Sequence, residues 1–401
     1  MRMVLGVDAG GTSSRAALFT VAGELVRRGC AGGANPGALG RDLAAANLTA
    51  AVRAALVDVA PVQVVVGMAG SPEACAALCE QVFREVLPGV PVASVGDLVT
   101  AFAAGTAAAS GSVLISGTGA IAAKIIGHRT VAIADGFGWQ LGDEGSGFWL
   151  GRAAARATIR ALAAGVVSGG VTSGALAGDG VAGGELAGLV VRHLAPEGLG
   201  EDPVARLAAA VYARPPLALA ELAPLVSRAA AGGDPVAVGI VREAAARLVG
   251  TLRDVHDSGP VVLAGSVLTS EGPVRQAVTE LLTSRAAPTI GDTATAPSAS
   301  GAVAADAAVA GDAAGGGALA GSAGGRAAEA AVVVTAGDAA GAAAWLAARM
   351  VLPAGEAEAL HATFTTPRPT AHHPTGRHPT AYHPTARHPT GHHPTGGSVS
   401  P

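Results

Sequence analysis

Two glycine-rich motifs that lie far apart in the chain share one layout. The first, residues 7–12, reads VDAGGT, and the second, residues 114–119, reads LISGTG. Apolar runs typical of strands flank both motifs, at residues 3–7 and 15–21 for the first and at residues 113–115 and 121–126 for the second. Each motif is therefore predicted to be the turn of a hairpin rather than the start of a βα unit, and the fold must place two such hairpins.

The composition of these turns suits a phosphate ligand. Glycine lets backbone N–H groups approach a phosphate closely, a threonine hydroxyl donates one more hydrogen bond, and Asp8 can hold Mg²⁺ through water. One such turn alone is usually only a hairpin, but two facing each other would clamp the β and γ phosphates of a nucleotide. The chain contains neither the GxxxxGK[ST] pattern of a Walker loop nor a GxGxxG fingerprint that opens a helix.

The remaining pattern of the first 300 or so residues alternates strands with helices. Further strands are predicted at residues 62–67, 92–95 and 261–263, and helical periodicity predicts helices at residues 41–59, 73–87, 147–162, 217–231 and 234–256. The sequence therefore predicts an α/β fold with a long helical stretch in its second half.

Composition excludes several classes of function. The 401 residues carry a formal net charge of -4, which provides no basic field for nucleic acid. Three cysteines are too few for a disulfide framework or a four-ligand zinc site, so a reducing cytoplasm is the expected location. The first residues do not form a signal peptide. The uncharged stretch 98–123 is interrupted by glycine, serine and threonine, which predicts strands and turns rather than a membrane span.

The last hundred residues have a biased composition. Residues 301–350 are mostly alanine and glycine and offer little surface to bury, so we expect weak packing or disorder there and expect truncation between residues 310 and 350 to leave catalysis intact. Residues 368–397 repeat the motif HPT, which predicts an extended, solvated tail. Seven histidines in this tail could bind a metal ion, but no rigid element fixes a coordination geometry.

Four motifs together resemble a known family: DAGGT, ISGTG, the stretch DGFGWQLGDEGSGFWLGR at residues 135–152 and AGSVL at residues 264–268. They look like the N-acetylglucosamine kinases of the BadF/BadG/BcrA/BcrD group, within the sugar kinase, Hsp70 and actin superfamily. The resemblance covers roughly residues 3–310. It implies two ribonuclease-H-like (actin-like ATPase) domains with a cleft between them. They would comprise residues 1–104, completed by a returning segment at about 291–350, and residues 105–290, followed by a disordered Pro/His-rich tail at 351–401.

The resemblance also implies roles for individual residues. It places the ATP phosphates on Gly10, Gly11, Thr12, Thr118 and Gly119, the adenosine against Gly265 and Ser266, and Mg²⁺ at Asp8. The sugar is expected at Asn35, Gly136, Phe137, Gly138 and Asp143. Asp97 is expected to bind the sugar and to act as the catalytic base.

Two of these roles also make chemical sense without the family. A sugar hydroxyl is a poor nucleophile unless a carboxylate accepts its proton, and Asp97 follows an apolar run at a strand end where a functional acid can be exposed. Asp97 could equally be a helix N-cap. Asp143 could accept hydrogen bonds from sugar hydroxyls, cap the helix that follows it, or do both.

The predicted function is ATP-dependent phosphorylation of N-acetylglucosamine at its 6-hydroxyl. The sequence leaves open a kinase for glucosamine, another amino sugar or a hexose. The substituent at carbon 2 of the sugar is recognised by the shape of the binding pocket, which the sequence does not display. Proteins of the same group also activate dehydratases through an iron–sulfur cluster, but Cys30, Cys75 and Cys79 do not match the cysteines which that role needs. The resemblance suggests a homodimer formed through the second domain.

Overall fold

The computed structural model describes residues 1–167, 184–284 and 332–366. All of them belong to one compact unit, Met1–Thr366, which is distinct from Pro367–Pro401. The HPT repeats and residues 291–331 of the expected returning segment lie outside the described residues.

The first sheet has five strands in the order β3-β2-β1-β4-β5. β2 is antiparallel to both β1 and β3, whereas β4 is parallel to both β1 and β5. β1 and β4 are buried along almost their whole length, as expected for apolar runs at the centre of a sheet. The strands are β1 (Met3–Ala9), β2 (Ser13–Thr20), β3 (Leu25–Gly32), β4 (Gln63–Met68) and β5 (Val92–Gly96).

The second sheet repeats the topology of the first. Its order is β10-β9-β6-β7-β8, with β7 antiparallel to both neighbours and β9 parallel to both of its neighbours. The hairpins β1–β2 and β6–β7 therefore occupy equivalent places in the two sheets. This repetition confirms the predicted α/β class with two ribonuclease-H-like sheets. The strands are β6 (Gly111–Ser116), β7 (Ala120–Ile126), β8 (Arg129–Asp135), β9 (Val261–Ala264) and β10 (Val333–Thr335).

Four helices come between or after the strands of the first sheet in the sequence: α1 (Pro36–Leu39), α2 (Arg41–Ala55), α3 (Pro72–Val86) and α4 (Asp97–Ala103). α3 begins with a proline in its first turn, and the Ser71 hydroxyl caps it by accepting the N–H of Ala74. The apolar faces of α2 and α3 form a core with one face of the sheet. Cys75 and Cys79 belong to this core.

A larger helical core accompanies the second sheet and includes Leu150, Val190, Val226 and Leu248. The helices that contribute to this core are α5 (Gly147–Val167), α6 (Gly184–Leu194), α7 (Pro203–Tyr212), a 3-10 helix (Pro216–Leu222), α8 (Ala223–Ala231), α9 (Pro235–Arg253), α10 (Ser266–Thr269) and α11 (Pro273–Thr283).

The alanine-rich helix α12 (Ala339–Arg349) is one of the most deeply buried elements of the unit. It packs against β1, β2, β4 and α4, and Trp345 is 0% exposed. The expectation of weak packing is therefore wrong for residues 339–349. Small alanine side chains let the helix backbone approach β1 closely. The packing contacts of the helix therefore come largely from its backbone rather than from large side chains.

Two short helices, α13 (Ala354–Ala359) and α14 (His361–Thr365), follow α12. Phe364 is fully buried, and its ring lies 5.0 Å from that of Phe19. The compact unit thus continues to Thr366, and the tail that was expected to start at residue 351 starts no earlier than Pro367. Residues 98–123 form most of α4, all of β6 and the start of β7, and none of the described helices is long and apolar enough to cross a membrane.

Candidate active site

The first glycine turn joins β1 to β2 and is held from one side only. The N–H of Gly10 donates to the carbonyl of Ser13 at 3.0 Å, and the carbonyl of Gly10 accepts the N–H of Ala34 at 2.9 Å. A Cβ atom at Gly11 would meet nothing within 4 Å. Gly11 and Thr12 are both exposed. The tip of the turn is therefore open to a ligand, and the protein packing itself does not require glycine at position 11.

Asp8 lies at the carboxyl end of β1, beside this turn. Burial raises the pKa of Asp8 to about 6; Arg15 opposes this rise, and the negative charges of Asp97 and Asp338 add to it. Arg15 is the direct partner of Asp8 across the β1–β2 hairpin. A buried carboxylate with other acids nearby is destabilised as an anion, and a bound cation would relieve that cost.

Asp97 is the first residue of α4 and follows β5 directly. β1, β4 and β5 are parallel, so the carboxyl ends that carry Asp8 and Asp97 lie at one edge of the first sheet. Burial raises the pKa of Asp97, while hydrogen bonds from its own backbone N–H and that of Leu98 oppose the rise. The N-cap of α4 is Gly96, and Asp97 is the first residue inside the helix. The prediction that Asp97 is the N-cap is therefore wrong.

Asn35 lies beside the first turn and caps the short helix α1. Its Oδ1 atom accepts the N–H groups of Gly37 at 2.9 Å and Ala38 at 3.3 Å. Within the described part of the chain, the hydrogen bonds of the Asn35 side chain use Oδ1 alone. The amide Nδ2 is left to donate to a ligand.

The second glycine turn is anchored to the start of α5. The carbonyl of Gly117 accepts the N–H of Gly147 at 2.7 Å, and the carbonyl of Thr118 accepts the N–H of Phe148 at 3.2 Å. A Cβ atom at Gly119 would lie 2.9 Å from the Asp143 carboxylate. Glycine at position 119 is thus needed for the close approach of Asp143.

A cavity of about 310 Å³ opens beside this second turn. Thr118 and Ser266 both line it, together with residues of the 3-10 helix, α8, α10 and α11. Gly265 has φ +81°, and a Cβ atom there would overlap the carbonyl oxygen of Ser116. A residue other than glycine would be strained at this position. The cavity has the size of a small-molecule site.

The loop between β8 and α5 is organised by Asp135, a residue that sequence analysis did not single out. Its carboxylate accepts the N–H groups of Gly136 and Asp143 at 2.7 Å and of Glu144 at 2.8 Å. Asp143 in turn accepts the N–H of Ala120 at 3.1 Å, and burial raises the pKa of Asp143. The backbone of Asp143 has φ +58°, a conformation that L-residues rarely adopt.

The structure gathers most of the expected residues into two groups. The first sheet carries Asp8, Gly10, Gly11, Thr12, Asn35 and Asp97. The surroundings of the second sheet carry Thr118, Gly119, Gly136, Gly138, Asp143, Gly265 and Ser266. Phe137 lies in the same loop as Asp143, but its side chain is 61% exposed.

Arg15, Asp135 and Asp338 were missed by sequence analysis. Arg15 could have been predicted from the register of the β1–β2 hairpin, because it lies directly across from Asp8. Asp338 caps α12 through the N–H of Ala340 and forms an ion pair with Arg28, a contact between distant segments that spacing does not reveal.

The model of the BadF/BadG/BcrA/BcrD ATPase family matches residues 5–308. The chain belongs to this family. The match includes both glycine turns, both acids of the first sheet and the loop of Asp143, and it ends before β10 and α12. The family assignment predicted from the sequence motifs is confirmed.

Three solved structures are reported as similar to this ATPase-family chain. A candidate N-acetylglucosamine kinase from Chromobacterium violaceum has a TM-score of 0.51 at 24% identity, over 69% of this chain and 91% of that one. A candidate N-acetylglucosamine kinase from Porphyromonas gingivalis gives 0.49 at 22% identity, over 70% and 90%. The component A of (R)-2-hydroxyglutaryl-CoA dehydratase from Acidaminococcus fermentans gives 0.37 at 16%, over 70% and 89%. No curated protein matches the chain.

A magnesium ion fits the residues of this ATPase-family site at Asp8. Asp8 is half-buried, and its surroundings disfavour the anionic form of its carboxylate, so a cation would stabilise it. Among the described residues no three His, Cys, Asp or Glu side chains form a metal cluster. One carboxylate plus phosphate oxygens is a common way to hold Mg²⁺, which keeps several of its waters.

Proposed function

We propose that the chain is an ATP-dependent sugar kinase that phosphorylates N-acetylglucosamine at the 6-hydroxyl. The observation that carries this proposal is the placement of Asp8 and Asp97 at one edge of the first sheet, close enough for the charge of Asp97 to raise the pKa of Asp8. Two acids at one site can divide two tasks, metal binding and proton acceptance. ATP is the proposed phosphoryl donor because the chain belongs to an ATPase family.

In this proposal the nucleotide lies between the two glycine turns. The backbone N–H groups of Gly11 and Gly119, with the hydroxyls of Thr12 and Thr118, hold the phosphates, and Gly10 gives the first turn its shape through its hydrogen bonds to Ser13 and Ala34. The adenosine enters the 310 Å³ cavity against Gly265 and Ser266. Asp8 would hold Mg²⁺, and the bound ion would supply positive charge near the phosphates. The open tip of the first turn and the cavity beside the second turn support this arrangement.

Asp97 is the proposed base. The 6-oxygen of the sugar forms a bond to the γ phosphorus as the bond from that phosphorus to the β–γ bridging oxygen breaks, and the hydroxyl proton passes to the Asp97 carboxylate. Burial raises the pKa of Asp97, which makes it a better proton acceptor than a solvated aspartate.

The sugar is proposed to bind between Asn35 on the first sheet and the loop that carries Asp143. The free Nδ2 of Asn35 donates to a sugar oxygen, and the buried Asp143 accepts from sugar hydroxyls. Gly136 and Gly138, both at positive φ, give the loop its bend, and the exposed Phe137 ring is available to cover the sugar. The likeness to the Chromobacterium violaceum protein supports N-acetylglucosamine as the first sugar to test.

The test is ADP release with Mg²⁺ and ATP, measured with N-acetylglucosamine, glucosamine, N-acetylmannosamine, glucose and no sugar. The proteins are the wild type, Asp97→Asn and the control Asp42→Asn, which changes an exposed acid in the first turn of α2. We expect turnover led by N-acetylglucosamine, a loss of at least a hundredfold in Asp97→Asn, and no change in Asp42→Asn. Release of ADP that is indifferent to every sugar would contradict the proposal and point to an ATPase that serves another protein.

A further inference from the structure

A positively charged groove lies between α5 and α9, and the proposed function does not use it. Its volume is about 310 Å³. Arg152, Arg156 and Arg160 of α5 and Arg247 of α9 line it, together with two glutamates. Four positive and two negative side chains leave a net charge of +2, in a chain whose own net charge is -4.

The three arginines of α5 form one row. They are spaced four residues apart, which places them on the same face of the helix. None of the three forms an ion pair with a carboxylate in the described part of the chain. Like charges at this spacing destabilise a helix, so the row costs stability unless an anion compensates it.

Arg247 faces the same groove but is held in place. It forms ion pairs with Glu144 and Glu243, and its guanidinium lies 5.2 Å from the centre of the Trp149 ring. The guanidinium of Arg152 lies 5.6 Å from the centre of the Phe148 ring. The groove therefore combines two guanidinium groups that stack on aromatic rings with those of Arg156 and Arg160, and the three arginines of α5 have no carboxylate partner among the described residues.

We propose that this groove binds a small organic molecule that carries two or more phosphate groups. The planar guanidinium donates paired hydrogen bonds to phosphate oxygens, and each phosphate monoester brings close to two negative charges. Neighbouring arginines of the row are separated by a rise of about 6 Å along the helix, so two phosphate groups of one molecule can each meet an arginine. A volume near 310 Å³ suits a small molecule rather than a macromolecular segment.

The groove is connected to the loop that carries Asp143. Glu144, which pairs with Arg247, also donates its backbone N–H to Asp135, the residue that organises this loop. A phosphate that competes with Glu144 for Arg247 removes one support of the loop. We therefore expect the ligand to change the affinity for sugar; this effect rests on the proposed function, whereas the binding site does not.

The experiment titrates inorganic pyrophosphate into the full chain by isothermal calorimetry in magnesium-free buffer. The variants are Arg156→Ala with Arg160→Ala, and the control Arg53→Ala with Arg84→Ala, which removes the same charge from exposed positions on α2 and α3. We expect the groove variant to bind pyrophosphate at least tenfold more weakly than the wild type, and the control to bind within twofold of it. Equal affinity in all three proteins, or no binding by the wild type, would overturn the proposal.

Sedimentation of the same proteins tests a second copy of the chain as the occupant. A groove variant that loses a dimer while keeping its affinity for pyrophosphate would assign the arginine row to an interface and overturn the proposal. The sugar-dependent ADP assay separates the two proposals, because loss of pyrophosphate binding in the groove variant supports the site even if no sugar is phosphorylated.

Discussion

Gly6 of β1 and Ala344 of α12 pack backbone against backbone: a Cβ atom on Gly6 would overlap the backbone nitrogen of Ala344. Gly6 cannot be replaced by a larger residue without moving the helix away from the strand. The closeness of this contact explains how an alanine-rich helix becomes part of the core, and it makes position 6 a sensitive test of the packing.

Gly6→Ala is expected to destabilise the protein by about 1–3 kcal/mol, because the added methyl group must displace α12. Urea denaturation measures the free energy of unfolding. The control is Gly250→Ala in α9, where a Cβ atom meets nothing within 4 Å and a helix-favouring residue stabilises by up to about 1 kcal/mol. If Gly6→Ala unfolds at the same urea concentration as the wild type, the close contact is wrong.

Truncation is expected to separate the buried helix from the biased tail. A chain that ends at Thr366 keeps the whole compact unit, so its melting temperature and activity should equal those of the full chain. A chain that ends at residue 331 lacks β10 and α12 and exposes the core residues that pack with α12, such as Val4, Phe19 and Phe102, so it should be insoluble or bind a hydrophobic dye. A soluble, cooperatively melting 1–331 chain would contradict this prediction, and would instead support the expectation from composition alone.

Asp8→Asn is expected to stabilise the ligand-free protein near neutral pH. The folded-state pKa of Asp8 is about 6, above its usual value of 3.8, so its ionisation costs stability that is absent below pH 4 and complete above about pH 6. The asparagine variant escapes this cost, which is on the order of 3 kcal/mol. Melting temperatures from pH 4 to pH 8 should show a gap that widens in favour of the variant. A gap that is constant across this range would refute the burial of the charge.

The same variant tests the magnesium assignment. Mg-ATP should raise the melting temperature of the wild type and raise that of Asp8→Asn far less, because the amide cannot replace an anionic ligand. Equal stabilisation of both proteins would place the ion elsewhere.

Asp135→Asn is expected to raise the KM for sugar. The amide keeps one of two acceptor oxygens, so the N–H groups of Asp143 and Glu144 cannot both keep their partner. We expect KM for the sugar to rise at least tenfold with KM for ATP unchanged, measured in the ADP-release assay, and Asp42→Asn again serves as the control. Unchanged sugar KM would show that the loop holds its shape without Asp135.

Gly265→Ala is expected to weaken nucleotide binding, since the added methyl group overlaps the carbonyl of Ser116 and the residue must keep φ +81°. KM for ATP should rise at least tenfold. Gly272→Ala is the matched control, because Gly272 lines the same cavity but has room for a Cβ atom. Equal KM values in the two variants would contradict the placement of the nucleotide beside Gly265.

Sequence pattern predicted the buried strands well and the exposed ones poorly. Runs such as residues 62–67 lie within one residue of β4, because a strand buried on both faces is continuously apolar. β3 and β8 were missed, since both contain arginine and exposed positions that hide the apolar pattern. α12 was missed for another reason: composition shows how much a side chain can bury, but not how closely a backbone can approach.

Sequence analysis predicted the positions of those candidate site residues that contact residues close to them in the sequence. Gly10 and Gly11 form the expected turn, and Asp97 stands at the expected strand end. Arg28 and Asp338, which come from distant parts of the chain, were invisible because only tertiary structure brings them together.

The position of α12 also bears on how the protein is made. β1 leaves the ribosome more than three hundred residues before the helix that covers it at Gly6. Synthesis at about 5–20 residues per second leaves the apolar face of β1 uncovered for many seconds. The first sheet therefore reaches its final packing only after α12 has been synthesised, and until then the face of β1 that α12 covers stays exposed to water.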